Sequence, residues 1–224
     1  MNRSKAFIFL LAAGLTAPSL MAQPSGASFD SQAPWIATAG YKAFDFPPDT
    51  VSLALEGMQA MGIFPATVAF QQAIDRCHHR GGGVVWIPKG TYLLGSIFLK
   101  SGVHLAFEDS TLILGSSSLS DYPIIDTRVA GIEMEWPTAL ITLKNAKNVK
   151  ISGRAEILGR GRIFWAKFHY MKPLYEQNAL RWAVDYDCQR PRMLLVQESE
   201  NVHISGITLR ESPFGRCNCF ILNK

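Results

Sequence analysis

The chain has 224 residues, of which 48% are hydrophobic and 18% are charged. This composition is ordinary for a globular protein and excludes general disorder. The formal net charge is only +4, and the lysines and arginines are scattered rather than grouped in a basic run. A nucleic-acid partner is therefore not expected.

The first 22 residues have the order of a secretory signal peptide. Arg3 and Lys5 precede the apolar stretch Ala6–Leu15, which is too short to span a bilayer, and Ala22 is a small residue at the expected cleavage point. An uncleaved membrane anchor is the alternative. We expect export to the periplasm or the outside of the cell, with no membrane association after cleavage.

The segment that follows the leader is interpreted as a linker. Residues 23–40 are rich in Ser, Pro, Ala and Gly, which leaves 41–224 as the folded domain. Within the domain, Tyr41–Phe46 is a candidate first strand. Val51–Gly62 is compatible with either a helical or an irregular structure.

An amphipathic helix is predicted from Ala66 to His78. Four apolar residues fall at positions i, i+3, i+4 and i+7, on one helical face: Phe70, Ala73, Ile74 and Cys77. The glycines Gly81–Gly83 then end the helix.

Short strands follow the helix, each with alternating apolar residues between turn residues. They are predicted at Val84–Pro88, Thr91–Leu94, Ile97–Leu99, Val103–Phe107 and Leu112–Leu114. Two longer segments interrupt them, a polar and aromatic loop at Ser116–Trp136 and an aromatic one at Gly159–Arg190. Long excursions from a regular scaffold commonly carry binding surfaces.

One pattern occurs twice in the chain. Ala139–Gly153 reads ALITLKNAKNVKISG and Arg192–Gly206 reads RMLLVQESENVHISG, so each copy is a strand, a polar turn and a second strand that ends at Gly. Ile97–Leu105 is a looser copy. Such recurrence indicates stacked units that bury their apolar faces jointly, and it predicts a parallel β-solenoid. The open end of the first coil needs a cover, for which the predicted helix is suited.

Asn148 and Asn201 occupy equivalent corners of the two copies. We expect their side chains to form a hydrogen-bonded ladder along the solenoid.

The cysteines and histidines do not indicate a metal site. Cys77, Cys188, Cys217 and Cys219 lack the paired spacing of zinc ligands, and the five histidines show no metal spacing. Export would permit disulfides, but we interpret the cysteines as buried or unpaired thiols. No metal and no cofactor is expected.

Two groups of residues are candidates for binding or catalysis. Asp185 and Asp187 would face the same way on an extended strand, as an acid/base pair could. Glu133 and Glu135 could accept hydrogen bonds from sugar hydroxyls while the ring of Trp136 stacks on a sugar. The alternative is that the two glutamates anchor their loop to Arg128 or face water.

Several segments, in order and spacing, resemble the polygalacturonase-like glycoside hydrolases of family 28. The resemblance covers about Tyr41 to Phe214 and lies in these segments: Ala69–Cys77, Gly81–Tyr92, Ile97–Ser101, Arg128–Trp136, Asn148–Gly153, Arg190–Arg192, Gly206–Leu209 and Ser212–Phe214. It implies a right-handed, single-stranded parallel β-helix with an N-terminal capping α-helix. It also implies inverting hydrolysis of α-linked uronic-acid polymers such as pectin, by a polygalacturonase-type O-glycosyl hydrolase that acts as a monomer.

The resemblance also implies where the catalytic residues belong. Inversion requires two carboxyl groups about 6.5–9.5 Å apart, and the family carries its catalytic aspartates after the Ser-Pro-Phe segment. The chain contains ten residues after Phe214, without those motifs. We therefore expect a β-helix truncated at its C-terminal end, with no catalytic residue in this chain and no activity of the chain alone. Glu133, Glu135 and Trp136 remain the predicted substrate-binding residues.

Two departures from the family pattern stand out. Leu158 occupies a position where the family usually has an acid, and the segment after Phe214 contains two of the four cysteines. A reading-frame slip with a premature stop would produce such a tail, and a natural short variant is the alternative.

Competing functions are a β-solenoid lyase, which would need an acidic Ca²⁺ cluster, and a non-catalytic secreted solenoid that binds polysaccharide or serves as an adhesin.

Overall fold

The computed structural model describes residues 42–53, 61–180, 183–215 and 217–220. All of them belong to one compact unit, Gly40–Lys224. The predicted signal peptide (1–22) and linker (23–40) lie outside the described residues and stay predictions.

The structure is made mainly of short strands. In chain order the strands are β1 (Thr50–Ser52), β2 (Met61–Pro65), β3 (Gly83–Ile87), β4 (Thr91–Leu94), β5 (Ile97–Leu99), β6 (Val103–Phe107), β7 (Leu112–Gly115), β8 (Ile124–Val129), β9 (Ile132–Pro137), β10 (Ala139–Lys144), β11 (Lys147–Ser152), β12 (Glu156–Leu158), β13 (Arg192–Gln197), β14 (Glu200–Ile204), β15 (Thr208–Arg210) and β16 (Cys217–Phe220). The α-helices are α1 (Thr67–His79), α2 (Arg162–Gln177) and α3 (Ala183–Asp187).

The strands stack into three parallel sheets. Sheet A has the order β1-β3-β6-β11-β14, sheet B the order β15-β12-β7-β4-β2, and sheet C the order β16-β13-β10-β5. From β3 onward the chain visits A, B and C in turn on each coil, and each of these strands pairs in parallel with the equivalent strand of a neighbouring coil. Strands β8 and β9 instead form a separate antiparallel sheet of two strands. Inside sheet A, Val85 lies in register with Leu105, which lies in register with Ile151, and all three are fully buried. This architecture confirms the predicted parallel β-helix.

The two copies of the sequence pattern lie directly on each other. Lys147 aligns with Glu200 and Ile151 with Ile204. At the corner between their strands, Asn201 Nδ2 donates a hydrogen bond to Asn148 Oδ1 at 2.7 Å, which confirms the expected ladder. Both asparagines have positive φ, 54° and 55°, a conformation that asparagine tolerates better than most residues.

We expect Asn148→Ala to lower the free energy of unfolding by about 1 to 2 kcal/mol, because alanine loses the ladder hydrogen bond and is strained at positive φ. Asn145→Ala is the matched control, since Asn145 is an exposed residue with a similar φ of 56°. In urea unfolding, Asn145→Ala should lose about 1 kcal/mol less stability than Asn148→Ala. Both variants place alanine at positive φ, but only Asn148→Ala removes the ladder hydrogen bond. Equal losses would show that the ladder contributes nothing.

Helix α1 covers the first edge of sheet C. The side-chain amide of Gln71 replaces a neighbouring strand there: its Nε2 donates to the carbonyl oxygen of Phe98 at 3.1 Å, and its Oε1 accepts from the backbone N–H of Phe98 at 2.8 Å. On the inner face, Phe70 and Ile74 are fully buried in the core. The predicted cap is therefore confirmed, and it protects both the apolar core and a strand edge.

His104 on β6 is half-buried, and its Nε2 lies 2.7 Å from Ser152 Oγ. Burial lowers its pKa to about 4, and the charges of Lys150 and His203 act in the same direction. Because the unfolded chain takes up this proton near pH 6.5, stability present above that pH is lost as the pH falls towards 4.

We expect the melting temperature to fall between pH 7 and pH 4.5, and His104→Asn to reduce that fall. An identical pH slope in wild type and His104→Asn would contradict the assignment.

One expectation differs from the structure. The described part of the candidate first strand, 42–46, is not a strand, and the first strand among the described residues is β1, which aligns Thr50 with Val84 of β3.

The cysteines agree with their interpretation as buried or unpaired thiols. All four are free: Cys77 and Cys188 are buried, whereas Cys217 and Cys219 are exposed with their sulfurs 3.8 Å apart. Within the described ranges, no helix has the length and hydropathy that crossing a membrane requires.

Candidate functional site

The two excursions leave the β-helix at the same corner. The segment 116–136, expected as an irregular loop, contains the antiparallel hairpin β8–β9, which lies between β7 and β10 in the chain. Ala130 and Gly131 join its strands with φ values of 48° and 90°, as a two-residue type I′ turn requires. One coil later, α2 and α3 lie between β12 and β13. Both excursions thus connect sheet B to sheet C on adjacent coils.

Arg190 joins the helical excursion to the last described coil. Its side chain is fully buried, and its guanidinium carbon lies 4.5 Å, 4.4 Å and 5.0 Å from the ring centres of Trp165, Phe168 and Phe214. Its Nη2 donates to Asp185 Oδ1 at 2.7 Å. A planar guanidinium is suited to such a site because it can stack on rings while it donates hydrogen bonds at its edge.

Trp136 does not have the role predicted for it. The residue is fully buried, its Nε1 donates to the carbonyl oxygen of Arg190 at 2.9 Å, and its ring lies 5.5 Å from that of Phe214. It therefore cannot present a ring face to a sugar. Its burial depends on residues 54 and 78 positions away in the chain, which local sequence patterns do not reveal.

Asp185 and Asp187 do not form the pair suggested by an extended strand. They lie on the short helix α3. Asp185 is engaged by Arg190, and Asp187 Oδ2 accepts a hydrogen bond from the Tyr175 hydroxyl at 2.7 Å. The separate partners of the two carboxylates are consistent with structural roles.

Glu133 and Glu135 are both exposed, and both line a cavity of about 430 Å³ between the hairpin and the outer face of sheet C. This volume is within the range of small-ligand sites. The other lining residues are Asp126, Thr127, Met134, Lys144, Gln197 and Glu198. No ion pair joins Arg128 to Glu133 among the residues described, although the two are cross-strand neighbours. The structure thus brings the two predicted glutamates together and separates them from Trp136.

The sequence analysis missed Lys144 and Gln197. They occupy the same register position on β10 and β13, so a comparison of the two repeat copies could have indicated that they share a face. Lys144 Nζ donates to the carbonyl oxygen of Asp126 at 2.9 Å, which connects sheet C to the hairpin.

Arg192 of β13 connects sheet C to the hairpin by two hydrogen bonds. Its Nη1 donates to the carbonyl oxygen of Arg128 at 3.1 Å and its Nη2 to Thr127 Oγ1 at 3.2 Å. Burial lowers the pKa of its guanidinium to about 10, so the side chain is still charged at neutral pH. A fixed hairpin gives the cavity a defined shape.

Two further cavities are present. One of about 330 Å³ is mostly apolar and lies beside Phe214 and Tyr186. The other, of about 810 Å³, lies over a coil corner where Asp109 pairs with Arg154 and Glu156 pairs with Arg210. In the described part of the chain, no group of three or more His, Cys, Asp or Glu residues is arranged to hold a metal ion.

No family model matches the chain, but related proteins are recognisable. A Vitis vinifera protein named "Probable polygalacturonase" is 28% identical over 182 residues, covering 77% of this chain and 34% of that protein. An exo-poly-alpha-D-galacturonosidase of Dickeya chrysanthemi is 29% identical over 122 residues, covering 51% of this chain and 20% of that protein. The plasmin and fibronectin-binding protein A of Streptococcus pneumoniae is 33% identical over 99 residues, covering 41% of this chain and 14% of that protein. The chain thus spans about a third or less of the length of these relatives.

The fold also matches a solved structure. The hyperthermoactive exopolygalacturonase of Thermotoga maritima superposes with a TM-score of 0.63 at 23% identity, covering 77% of this chain and 44% of that chain. At this identity the match shows the fold. By sequence and by fold, the chain is related to the polygalacturonase-like glycoside hydrolases, and its fold is a right-handed parallel β-helix.

Proposed function

We propose that the chain forms the substrate-facing early coils of a secreted polygalacturonase-type hydrolase, which cleaves α-linked uronic-acid polysaccharide with inversion. The observation that carries this proposal is the polar cavity under the β8–β9 hairpin, on a β-helix related to polygalacturonases. Glu133 and Glu135 would accept hydrogen bonds from polysaccharide hydroxyls there. Carboxylates suit this role because each oxygen can accept two hydrogen bonds.

We further propose that the chain alone does not hydrolyse the polymer. In support, the two close carboxylates Asp185 and Asp187 each have a separate structural partner. The catalytic acid and base would then come from sequence outside this chain. The protein would act as a monomer, without a metal or cofactor.

The test is to sequence the gene past codon 224, translate every frame, and assay the chain and any longer product for reducing ends released from polygalacturonate. We expect release by the longer product alone. Release by the chain itself at a similar rate would refute the proposed division of labour. If neither product releases reducing ends, the hydrolase assignment is wrong.

A non-catalytic solenoid is the second candidate, favoured by the similarity to a streptococcal protein that is named for binding rather than hydrolysis. This function predicts retention of the chain in gels that contain polygalacturonate, with no turnover by any product of the gene. Affinity electrophoresis beside the reducing-end assay separates the two candidates.

A further inference from the structure

We propose that Cys217 and Cys219 on strand β16 form a two-thiolate binding site for Zn²⁺ or a chemically similar metal ion. The two residues do not line the hairpin cavity. The inference is also independent of the proposed hydrolase, which needs no metal, so either proposal can fail without the other.

The first observation is the placement of the two side chains. Cys217 and Cys219 are separated by one residue on β16, and alternate residues of a strand point to the same face. They lie in register with Leu194 and Val196 of β13, which belong to the hydrophobic core. Because β16 is an edge strand of sheet C in the described part of the chain, both thiols are exposed there. A metal ion in solution can therefore reach both sulfurs.

The second observation is the distance between the two sulfurs. Cys217 Sγ and Cys219 Sγ are 3.8 Å apart. Two thiolates that each lie about 2.3 Å from a zinc ion, with the tetrahedral angle of about 109° between the two bonds, are about 3.8 Å apart. The pair therefore already has the spacing that tetrahedral coordination requires. A linear, two-coordinate ion would hold its sulfurs at twice the bond length, which is farther apart than this pair.

A disulfide is the competing use of such a pair, and the strand opposes it. A rise of about 3.3 Å per residue places Cα atoms two residues apart at about 6.6 Å. Disulfides extend to about 6.8 Å between Cα atoms but are mostly near 5.5 to 6 Å. The two Cβ atoms also point in the same direction rather than towards each other. A bridging ion requires no change of the backbone, since the sulfur spacing already matches it.

The chemistry of the donor atoms selects the class of ion. Thiolate is a soft ligand that favours zinc and copper(I) over magnesium and calcium, and the tetrahedral spacing favours zinc. No third His, Cys, Asp or Glu joins the pair in a cluster within the described ranges. The ion would thus have two protein ligands and two positions open to water, with a lower affinity than a closed four-ligand site. Each thiol releases its proton to the solvent when it binds the ion.

The test is a titration of the reduced full chain with Zn²⁺ in competition with a chromophoric chelator. A parallel titration uses Cd²⁺, whose thiolate complexes absorb in the ultraviolet. We expect one ion per chain and a new ultraviolet band with Cd²⁺. A chain that shows no such band and does not compete with the chelator for Zn²⁺ would overturn the proposal.

Two single variants test whether both thiols are ligands. Cys217→Ser and Cys219→Ser each leave one thiol on β16. Each should weaken Zn²⁺ binding by at least about tenfold, because losing a ligand costs no less than changing the groups around a ligand. Circular dichroism would show that each variant is folded. Unchanged Zn²⁺ affinity in either folded variant would contradict the paired site.

A matched control keeps the number of thiols and changes only their spacing. Cys219→Ser combined with Asn218→Cys places the two thiols on adjacent positions, which point to opposite faces of a strand. This double variant should bind Zn²⁺ as weakly as Cys219→Ser. Cys188→Ala removes a fully buried thiol that lies outside β16, and it should bind Zn²⁺ like the wild type. Wild-type affinity of the double variant, or a tenfold loss in Cys188→Ala, would show that the spaced pair on β16 is not the site.

Discussion

Arg190→Ala is expected to lower the free energy of unfolding by about 3 to 5 kcal/mol, the range for truncating a large, fully buried side chain to alanine. The substitution would remove a fully buried guanidinium that contacts three aromatic rings and leave Asp185 without its cation. It would also leave a cavity under the rings of Trp165 and Phe168. Urea unfolding followed by tryptophan fluorescence would measure the loss.

Arg210→Ala is the matched control for this change. Arg210 pairs with Glu156 at 2.8 Å, a distance close to that of the Arg190 pair, but 65% of its side chain is exposed. Exposed pairs contribute about 1 kcal/mol or less. Similar losses for the two variants would mean that burial and ring contacts add nothing to the Arg190 site.

Arg190→Lys separates the charge from the shape of the side chain. Lysine retains the positive charge beside Asp185 but cannot stack a planar group on the rings. We expect an intermediate loss of stability. A loss as large as that of the alanine variant would mean that the stabilisation by Arg190 comes entirely from its planar guanidinium group and not from its charge.

The sequence was sufficient to predict the coils because their signal is local and repeated. Alternating apolar residues gave the strands, and the corner residues Asn148 and Asn201 marked two coils that indeed stack in register. Helix α1 could be predicted equally well, because its buried residues recur at the spacing of one helical face. Each of these features depends on residues that are close in the chain or that recur at a fixed interval.

The candidate site was harder to predict from the sequence, because it depends on contacts between the two segments that leave the β-helix. The burial of Trp136 requires Arg190 and Phe214, and the cavity requires the hairpin to lie over Lys144 and Gln197. The hairpin itself had a local signal, the Ala130–Gly131 dipeptide between two alternating segments, which the mixed composition of the loop obscured. Helix α2 contains Pro173, a residue that ordinarily argues against a helix interior.

The recurring glycine of the repeat leads to the second large prediction. Gly153 has a φ of 114°, and a Cβ atom built on it would lie 2.1 Å from the carbonyl oxygen of Phe107 in the preceding coil. Gly206 repeats the contact one coil later, with a Cβ position 2.6 Å from the carbonyl oxygen of Gly153. The glycine at the end of each copy therefore allows the backbones of successive coils to approach closely.

We expect Gly153→Ala to lower the free energy of unfolding by about 3 to 5 kcal/mol, because it combines an unfavourable φ with a backbone clash that no side-chain rotation can relieve. Gly131→Ala isolates the first term: Gly131 has a φ of 90° but no heavy atom within 4 Å of the added Cβ. That variant should lose only about 1 to 2 kcal/mol. Urea unfolding of both variants tests the close approach of the coils, and equal losses would show that coil stacking does not require glycine at this corner.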